Sequence, residues 1–205
     1  MTDPLPDWDL DALFAPPPPP IVPMPAAVQR SLRGRRVIIG LPGLGWRGDL
    51  RADEAVVQGS RTYVPVLPEQ EWYRAEAEQV ETFAPMVPVE RVWVETVAAP
   101  STKEQAAVHD DLVSRLVSLD APPLRRPVAA REAVALTGRR VVRMPGPDDK
   151  AGRERRDLRA VTETYSNAAG DICVRVTKEL EWYRWAWSGT APKTLEIPVH
   201  LLWVE

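Results

Sequence analysis

Apolar and polar side chains alternate along the last third of the chain, and this pattern predicts β-strands. From Ile172 to Trp182 the even positions are mostly apolar and the odd positions mostly polar. A period of two places the apolar side chains on one face of a strand. The pattern therefore predicts one long strand, or two strands joined by a bend, over residues 172–187. Trp182 would face the core, and Tyr183, Trp185 and Trp187 would share the opposite face.

The chain contains the same series of short motifs twice, in residues 34–95 and in residues 138–205. Six motifs recur in the same order, which chance does not explain and which indicates an internal duplication. A period of about a hundred residues is too long for a solenoid repeat and is typical of tandem small domains. The paired motifs are Gly34-Arg35-Arg36-Val37 and Gly138-Arg139-Arg140-Val141, Pro42-Gly43 and Pro145-Gly146, Asp49-Leu50-Arg51-Ala52 and Asp157-Leu158-Arg159-Ala160, Glu71-Trp72-Tyr73-Arg74 and Glu181-Trp182-Tyr183-Arg184, Pro88-Val89 and Pro198-Val199, and Trp93-Val94-Glu95 and Trp203-Val204-Glu205.

Each repeat is expected to fold as a small SH3-like β-barrel, which makes the protein mainly β with two tandem barrels. The barrels would span residues 26–95 and 128–205, each with about four or five short, strongly twisted strands. A lead-in helical turn is predicted before each barrel, at residues 26–32 and 129–136. In the second repeat the polar sequence at 167–171 predicts a turn, and residues 194–204 predict a closing strand.

The segments outside the repeats predict a helix and an extended arm. In the connector, residues 96–127, Ser101-Thr102-Lys103-Glu104 is a capping box, and apolar residues then follow at helical spacing as far as Leu119. Residues 1–25 contain the run Pro16-Pro17-Pro18-Pro19-Pro20, which favours polyproline II and cannot form a packed core. The chain is therefore expected to carry an extended, Pro-rich N-terminal arm.

Composition limits the classes of protein to consider. The net charge of −3 over 205 residues argues against a protein built mainly to neutralise nucleic-acid phosphates. The single cysteine, Cys173, excludes an internal disulfide and a cysteine-based zinc site. No signal peptide and no membrane span is expected, so we predict a soluble protein that is cytoplasmic or is incorporated into an assembly made in the cytoplasm. The excess of Arg over Lys resembles high-GC coding, as in actinobacteria and their phages.

No group of residues in the sequence predicts catalysis, a cofactor or a metal ion. The glycines between Gly40 and Gly45 lack the GxxxxGK[ST] and GxGxxG patterns and are interpreted as a barrel loop. His109 and His200 lie on separate elements, and the second repeat's histidine has no counterpart in the first. The acidic pairs Glu69/Glu71 and Glu179/Glu181 are interpreted as structural, with local salt bridges to nearby arginines. We therefore expect a protein that is not an enzyme and that has no cofactor and no metal site.

Aromatic side chains give the main functional hypothesis. Acidic residues alternate with apolar ones in the arm, as expected of a segment that becomes ordered on a partner, although a soluble disordered tail has the same composition. In the second repeat, the extra tryptophans would form an apolar binding patch if exposed, or an internal interface if packed on the first repeat or the connector. The predicted partner-binding residues are Trp8, Leu10, Leu13, Phe14, Tyr183, Trp185 and Trp187.

The sequence thus predicts a non-enzymatic interaction or structural protein, such as a phage virion component or an adaptor. A protein partner or a homo-oligomer is expected. The alternative is a nucleic-acid-binding tandem barrel, since basic and aromatic side chains together bind single strands. The basic surface for that alternative consists of Arg139, Arg140, Arg143, Arg153, Arg155 and Arg156.

Overall fold

The protein is described here from a computed structural model, which describes residues 16–41, 43–98, 121–146, 149 and 152–205. Backbone contacts group residues 19–126 into one compact unit, the N-terminal unit, and the described residues 16–18 together with 127–205 into another, the C-terminal unit. The predicted connector helix, with His109, and residues 1–15 of the arm lie outside the described residues.

The N-terminal unit is an antiparallel sheet with one described α-helix on it. In spatial order its strands are β1, β7, β2, β3, β5 and β4, and β6 pairs with the first half of β5. The helix α1, Glu69–Glu78, directly follows β5. The strands are β1 (Ile21–Pro25), β2 (Arg36–Leu41), β3 (Gly45–Ala52), β4 (Val56–Gln58), β5 (Arg61–Pro68), β6 (Met86–Pro88) and β7 (Val92–Val97).

The C-terminal unit has a second antiparallel sheet with a similar order of elements. Its strands are arranged β11, β12, β10, β9, β14 and β8, and β13 pairs with β12. The helix α2, Glu179–Ser188, directly follows β12. The strands are β8 (Val128–Ala129), β9 (Arg140–Arg143), β10 (Arg155–Ala160), β11 (Tyr165–Ser166), β12 (Ile172–Lys178), β13 (Leu195–Pro198) and β14 (Leu202–Val204).

Alternate side chains of the central strands form a core in each unit. In the N-terminal unit Val37, Val64 and Val94 are at most 1% exposed, and in the C-terminal unit Leu158 and Val174 are fully buried. Each such side chain contributes about 1.5–3 kcal/mol through burial. The mainly β fold with two antiparallel sheets is confirmed, and one of the sheets is curled into a half-barrel.

The second part of the strand predicted over residues 172–187 is a helix, so that part of the prediction is wrong. The strand over 172–187 ends at Lys178, and α2 begins at the next residue; likewise β5 ends at Pro68, where α1 begins. Glu residues in the first turn of each helix are stabilised by the helix dipole. Each helix ends at a residue in the left-handed region, Gln79 or Gly189, whose N–H donates back to the last turn.

Smaller departures from the predicted elements have local causes. The lead-in helices shorten to 3-10 turns at Ala26–Val28 and Ala130–Glu132. The closing strand predicted over 194–204 divides into β13 and β14, because a 3-10 turn at Val199–Leu201 follows Pro198. The turn at 167–171 is confirmed: the Asn167 side chain accepts hydrogen bonds from two backbone N–H groups within it.

The sole cysteine is buried in the C-terminal unit. Cys173 lies in β12, its side chain is only 1% exposed, and burial raises the pKa of its thiol. Neither of the helices in the described part of the chain has the length and apolar character that crossing a membrane requires.

Candidate interaction surfaces

The motifs that recur in the sequence meet in space where each helix begins. In the N-terminal unit the guanidinium of Arg51 donates to the Gly34 carbonyl and to the Tyr73 hydroxyl, each at 2.8 Å. The Nε atom of Arg51 lies 3.0 Å from the Glu69 carboxylate, which is 1% exposed. Trp72 packs close to Gly34, where an added Cβ would lie 3.8 Å from its ring. We call this group of residues the anchor cluster.

The C-terminal unit has a matching anchor cluster, in which Arg140 and not Arg159 lies nearest the buried glutamate. Arg159 donates to the Gly138 carbonyl at 2.7 Å and to the Tyr183 hydroxyl at 2.5 Å. Arg140 donates to the Glu179 carboxylate at 3.0 Å, and both side chains are buried. Buried ion pairs of this kind hold their partners in one arrangement, and losing one partner costs about 3–5 kcal/mol. The recurring motifs therefore serve folding in both units.

A carboxylate also fixes the loop before the second strand of each unit. Glu54 accepts hydrogen bonds from the Ser31 hydroxyl and the Leu32 N–H, which lower the pKa of its carboxyl group, the Ser31 bond most strongly. Glu163 accepts from the N–H groups of Thr137 and Leu136, which likewise lower the pKa of its carboxyl group. Both carboxylates are thus held in the charged form.

The aromatic side chains predicted as one binding patch are divided between two roles. Tyr183 belongs to the anchor cluster, with the Arg159 guanidinium 4.8 Å from its ring centroid. Trp185 packs edge-on against Trp182, with ring centroids 5.7 Å apart. Trp185 and Trp187 are half-buried, between core and full exposure. Both tryptophans lie on the helix α2 and not on a strand. On a helix, residues three or four apart share a side, whereas Trp185 and Trp187 are two apart.

Most of the predicted basic surface has acidic partners. Arg140 is buried against Glu179, as above. The atoms of three further pairs lie 3.0–3.2 Å apart: Arg143 with Asp149, Arg155 with Asp157, and Arg156 with Glu205. Arg139 and Arg153 are exposed. The four predicted residues of the arm, Trp8, Leu10, Leu13 and Phe14, lie outside the described residues.

An open cleft of about 460 Å³, which the sequence did not predict, lies on the N-terminal unit. We call it the hairpin cleft, because the turn between β2 and β3 forms one wall and β6 with the following 3-10 turn forms the other. No carboxylate lines it. Its lining consists of Ile39, Gly40, Leu44, Gly45, Trp46, Arg47, Met86, Val87, Pro88 and Arg91.

Strand register explains how this cleft is built. Gly40 pairs with Trp46 across the hairpin, and Ile39 pairs with Arg47 on one side and with Val92 on the other. A Cβ at position 40 would lie 2.3 Å from the Gly45 carbonyl oxygen and 2.9 Å from the Trp46 ring, so only glycine fits. Gly40 thus allows the two strands of the hairpin to approach closely at the wall of the cleft.

The charge of the hairpin cleft is positive. Arg47 and Arg91 are exposed, and in the described part of the chain no carboxylate forms an ion pair with either of them. Leu44, at the tip of the hairpin, is 81% exposed, and Met86 is 36% exposed. The cleft therefore presents apolar side chains to solvent between two arginines, a combination suited to an apolar and acidic ligand.

The C-terminal unit carries buried apolar residues at the positions that match Gly40 and Arg91. The register of β9 against β14 matches that of β2 against β7, so that Met144 corresponds to Gly40 and Leu201 to Arg91. Both residues are 9% exposed and belong to the core. Leu201 also packs at Gly146, where an added Cβ would lie 3.5 Å from it. The two units therefore share the anchor cluster and differ at this cleft.

A second cleft of about 520 Å³ lies beside α1. Its cation, Arg33, is already bound to carboxylates of the same unit, 3.0 Å from Glu76 and 3.7 Å from Asp53, and lies 6.0 Å from the Trp72 ring centroid. Because the charges here compensate one another, the hairpin cleft is the stronger candidate for a binding site.

Comparison of the chain with protein-family models found no match, and neither did comparison with curated proteins or with solved structures.

Proposed function

We propose that the protein is a non-enzymatic interaction protein, and that its N-terminal unit binds an extended peptide with acidic and aromatic side chains in the hairpin cleft. One observation carries the proposal: the N-terminal unit has an open apolar cleft between two exposed arginines, whereas Met144 and Leu201 are buried at the matching positions of the C-terminal unit. A folding requirement would affect both units alike, so the open cleft points to a separate use.

We also propose that the two units are copies of one SH3-like barrel. The matched anchor clusters support this, since Arg51 and Arg159 each donate to a glycine carbonyl and a tyrosine hydroxyl. After a duplication, one copy is free to keep a core residue where the other opens a binding site. Such a two-unit protein suits an assembly component, such as a virion protein, or an adaptor.

The chemistry of the cleft indicates the class of peptide. An aromatic or leucine side chain of a ligand would cover Trp46 and Leu44 and remove apolar surface from water, worth about 25 cal/mol per Å². Carboxylates of the ligand would pair with Arg47 and Arg91, which adds selectivity more than affinity because exposed pairs contribute about 0–1 kcal/mol. Apolar contact would thus give the affinity, and the arginines would select acidic sequences.

A peptide-binding measurement tests the proposal. A pool of fluorescent peptides with randomised order, composed of Asp, Glu, Trp, Phe and Leu, is titrated with full-length protein, alongside a pool in which Lys replaces the acids. Binding of the acidic pool alone is expected, and Arg47→Glu with Arg91→Glu should weaken it at least tenfold. The matched control is Arg139→Glu with Arg153→Glu, the same charge change on the C-terminal unit. Equal loss in both variants, or no binding of the acidic pool, would refute a site at the cleft.

A further inference from the structure

We infer that the hairpin cleft takes residues 7–14 of a second copy of this chain, so that copies associate arm into cleft. The inference rests on the proposed function of the cleft and names its ligand. The arm supplies a segment of the required chemistry, and the geometry of β1 directs it away from the cleft of its own unit.

The composition of the segment complements the cleft. Residues 1–15 contain four aspartates and no lysine or arginine, whereas the cleft carries two arginines and no carboxylate. Large apolar side chains lie among these acids in the order Asp7-Trp8-Asp9-Leu10-Asp11-Ala12-Leu13-Phe14. Alternation of this kind lets an extended peptide place apolar side chains on one side and carboxylates on the other. The lining of the cleft offers partners for both.

The pairing of β1 with β7 fixes the direction in which the arm leaves the unit. Ile21 pairs with Val97, and the Pro20 carbonyl accepts a hydrogen bond from the Ala98 N–H at 2.9 Å. The arm therefore leaves beyond the Val97 end of β7. The cleft lies at the other end of that strand, where Arg91 precedes Val92. The six residues of β7 separate its two ends by about 17 Å.

The proline run makes a return to the same cleft unfavourable. Between Phe14 and the paired strand the chain has only Ala15 and Pro16-Pro17-Pro18-Pro19-Pro20. Five residues of polyproline II extend about 15 Å and resist reversal, because each proline fixes its own φ angle and restricts the residue before it. A stiff spacer that starts at the far end of β7 suits delivery of the segment to another molecule.

Each copy then offers one arm and one cleft, which are different surfaces. Two copies can exchange arms reciprocally, and a larger number can close a ring or extend a chain. A mixture of two variants distinguishes this arrangement from any association through a single self-complementary patch. The arm variant is Trp8→Ser with Phe14→Ser, and the cleft variant is Arg47→Glu with Arg91→Glu.

Sedimentation of the full-length protein across about 1–200 µM provides the readout, since that range covers micromolar affinity. Wild type should associate with concentration, and each variant alone should associate at least tenfold more weakly. A mixture of the two variants should recover association and stop at one-to-one pairs, because the arm variant retains an intact cleft and the cleft variant an intact arm. A synthetic peptide of residues 2–14 should dissociate the wild-type oligomer.

A charge exchange keeps the test decisive if a variant loses stability. Asp9→Arg with Asp11→Arg should abolish association alone, and the same two changes combined in one chain with Arg47→Glu and Arg91→Glu should restore it. A monomeric wild type over the whole range, or a mixture that recovers nothing, overturns the inference. If the acidic peptide pool still binds at the cleft while the 2–14 peptide does not, the proposed function stands and the inference fails. If neither binds, both fail.

Discussion

Glu179 provides a quantitative test of the anchor cluster. Its carboxylate is 2% exposed and lies 3.0 Å from Arg140 and 3.8 Å from Arg159, whose side chains are 6% and 10% exposed. Glu179→Gln keeps the size of the side chain and removes its charge. Two buried guanidinium groups would then lose their shared counter-charge.

The expected cost of Glu179→Gln is about 4 kcal/mol, because leaving a buried charge without its partner costs 3–5 kcal/mol. This is a large part of the 5–15 kcal/mol that stabilises a typical domain. In urea, with a denaturant slope of about 1.5 kcal/mol per M, the unfolding midpoint of the C-terminal unit should fall by about 2.7 M. The assay is urea unfolding followed by tryptophan fluorescence and far-UV circular dichroism.

Glu181→Gln is the matched control for this measurement. Glu181 lies on the same helix, and its ion pair with Arg184, at 3.1 Å, is exposed to solvent. Exposed pairs contribute about 0–1 kcal/mol, so this variant should unfold near the wild-type midpoint. If the two variants differ by less than 1 kcal/mol, the buried pair does not stabilise the unit as argued.

Three further results are expected. Hydrogen bonds lower the pKa of Glu163 in the folded protein. The contribution of this carboxylate to stability is therefore complete above its unfolded pKa, near 4.5, and is lost as the pH falls through its folded pKa. Glu163→Gln should flatten the acid side of a plot of melting temperature against pH, and an unchanged plot would contradict this. Gly40→Ala should lower stability by at least about 1 kcal/mol in urea unfolding, since the added Cβ would lie 2.3 Å from a backbone oxygen, and an alanine variant as stable as wild type would mean that the hairpin adapts. Binding of single-stranded oligonucleotides through Arg139 and Arg153 should weaken steeply with salt and be lost in the variant Arg139→Glu with Arg153→Glu. Binding that neither salt nor this variant weakens would exclude that surface.

The strands were predictable from sequence because their buried apolar residues, such as Val174 and Val176, alternate along the chain. The helices were missed because Leu180 and Trp182 happen to continue that period past Lys178, where the strand ends. The acidic first turn, with Glu179 and Glu181, was the available signal for a helix start. The alternation of apolar and polar residues cannot show that Glu179 is buried, because its partner Arg159 lies on a different element, the strand β10.

The hairpin cleft could not be predicted from either repeat alone. Its lining depends on which residues lie opposite Gly40 and Ile39, and strand register decides that. A clue existed in the comparison of the repeats, where Arg91 stands opposite Leu201 in the alignment of Pro88-Val89 with Pro198-Val199. An exposed charge in one unit and a buried apolar residue at the matching position of the other indicates that the two positions have different roles.

The buried thiol of Cys173 makes local opening of the C-terminal unit observable in solution. Thiol reagents react with the thiolate, and here both burial and the raised pKa suppress that reaction in the closed state. Labelling must therefore wait for β12 to open, and since the sequence has one cysteine, the N-terminal unit is silent. The labelling rate under native conditions then gives the opening free energy of the C-terminal unit alone. Conversely, the chain can be tagged at other positions only after this site has been replaced or kept closed.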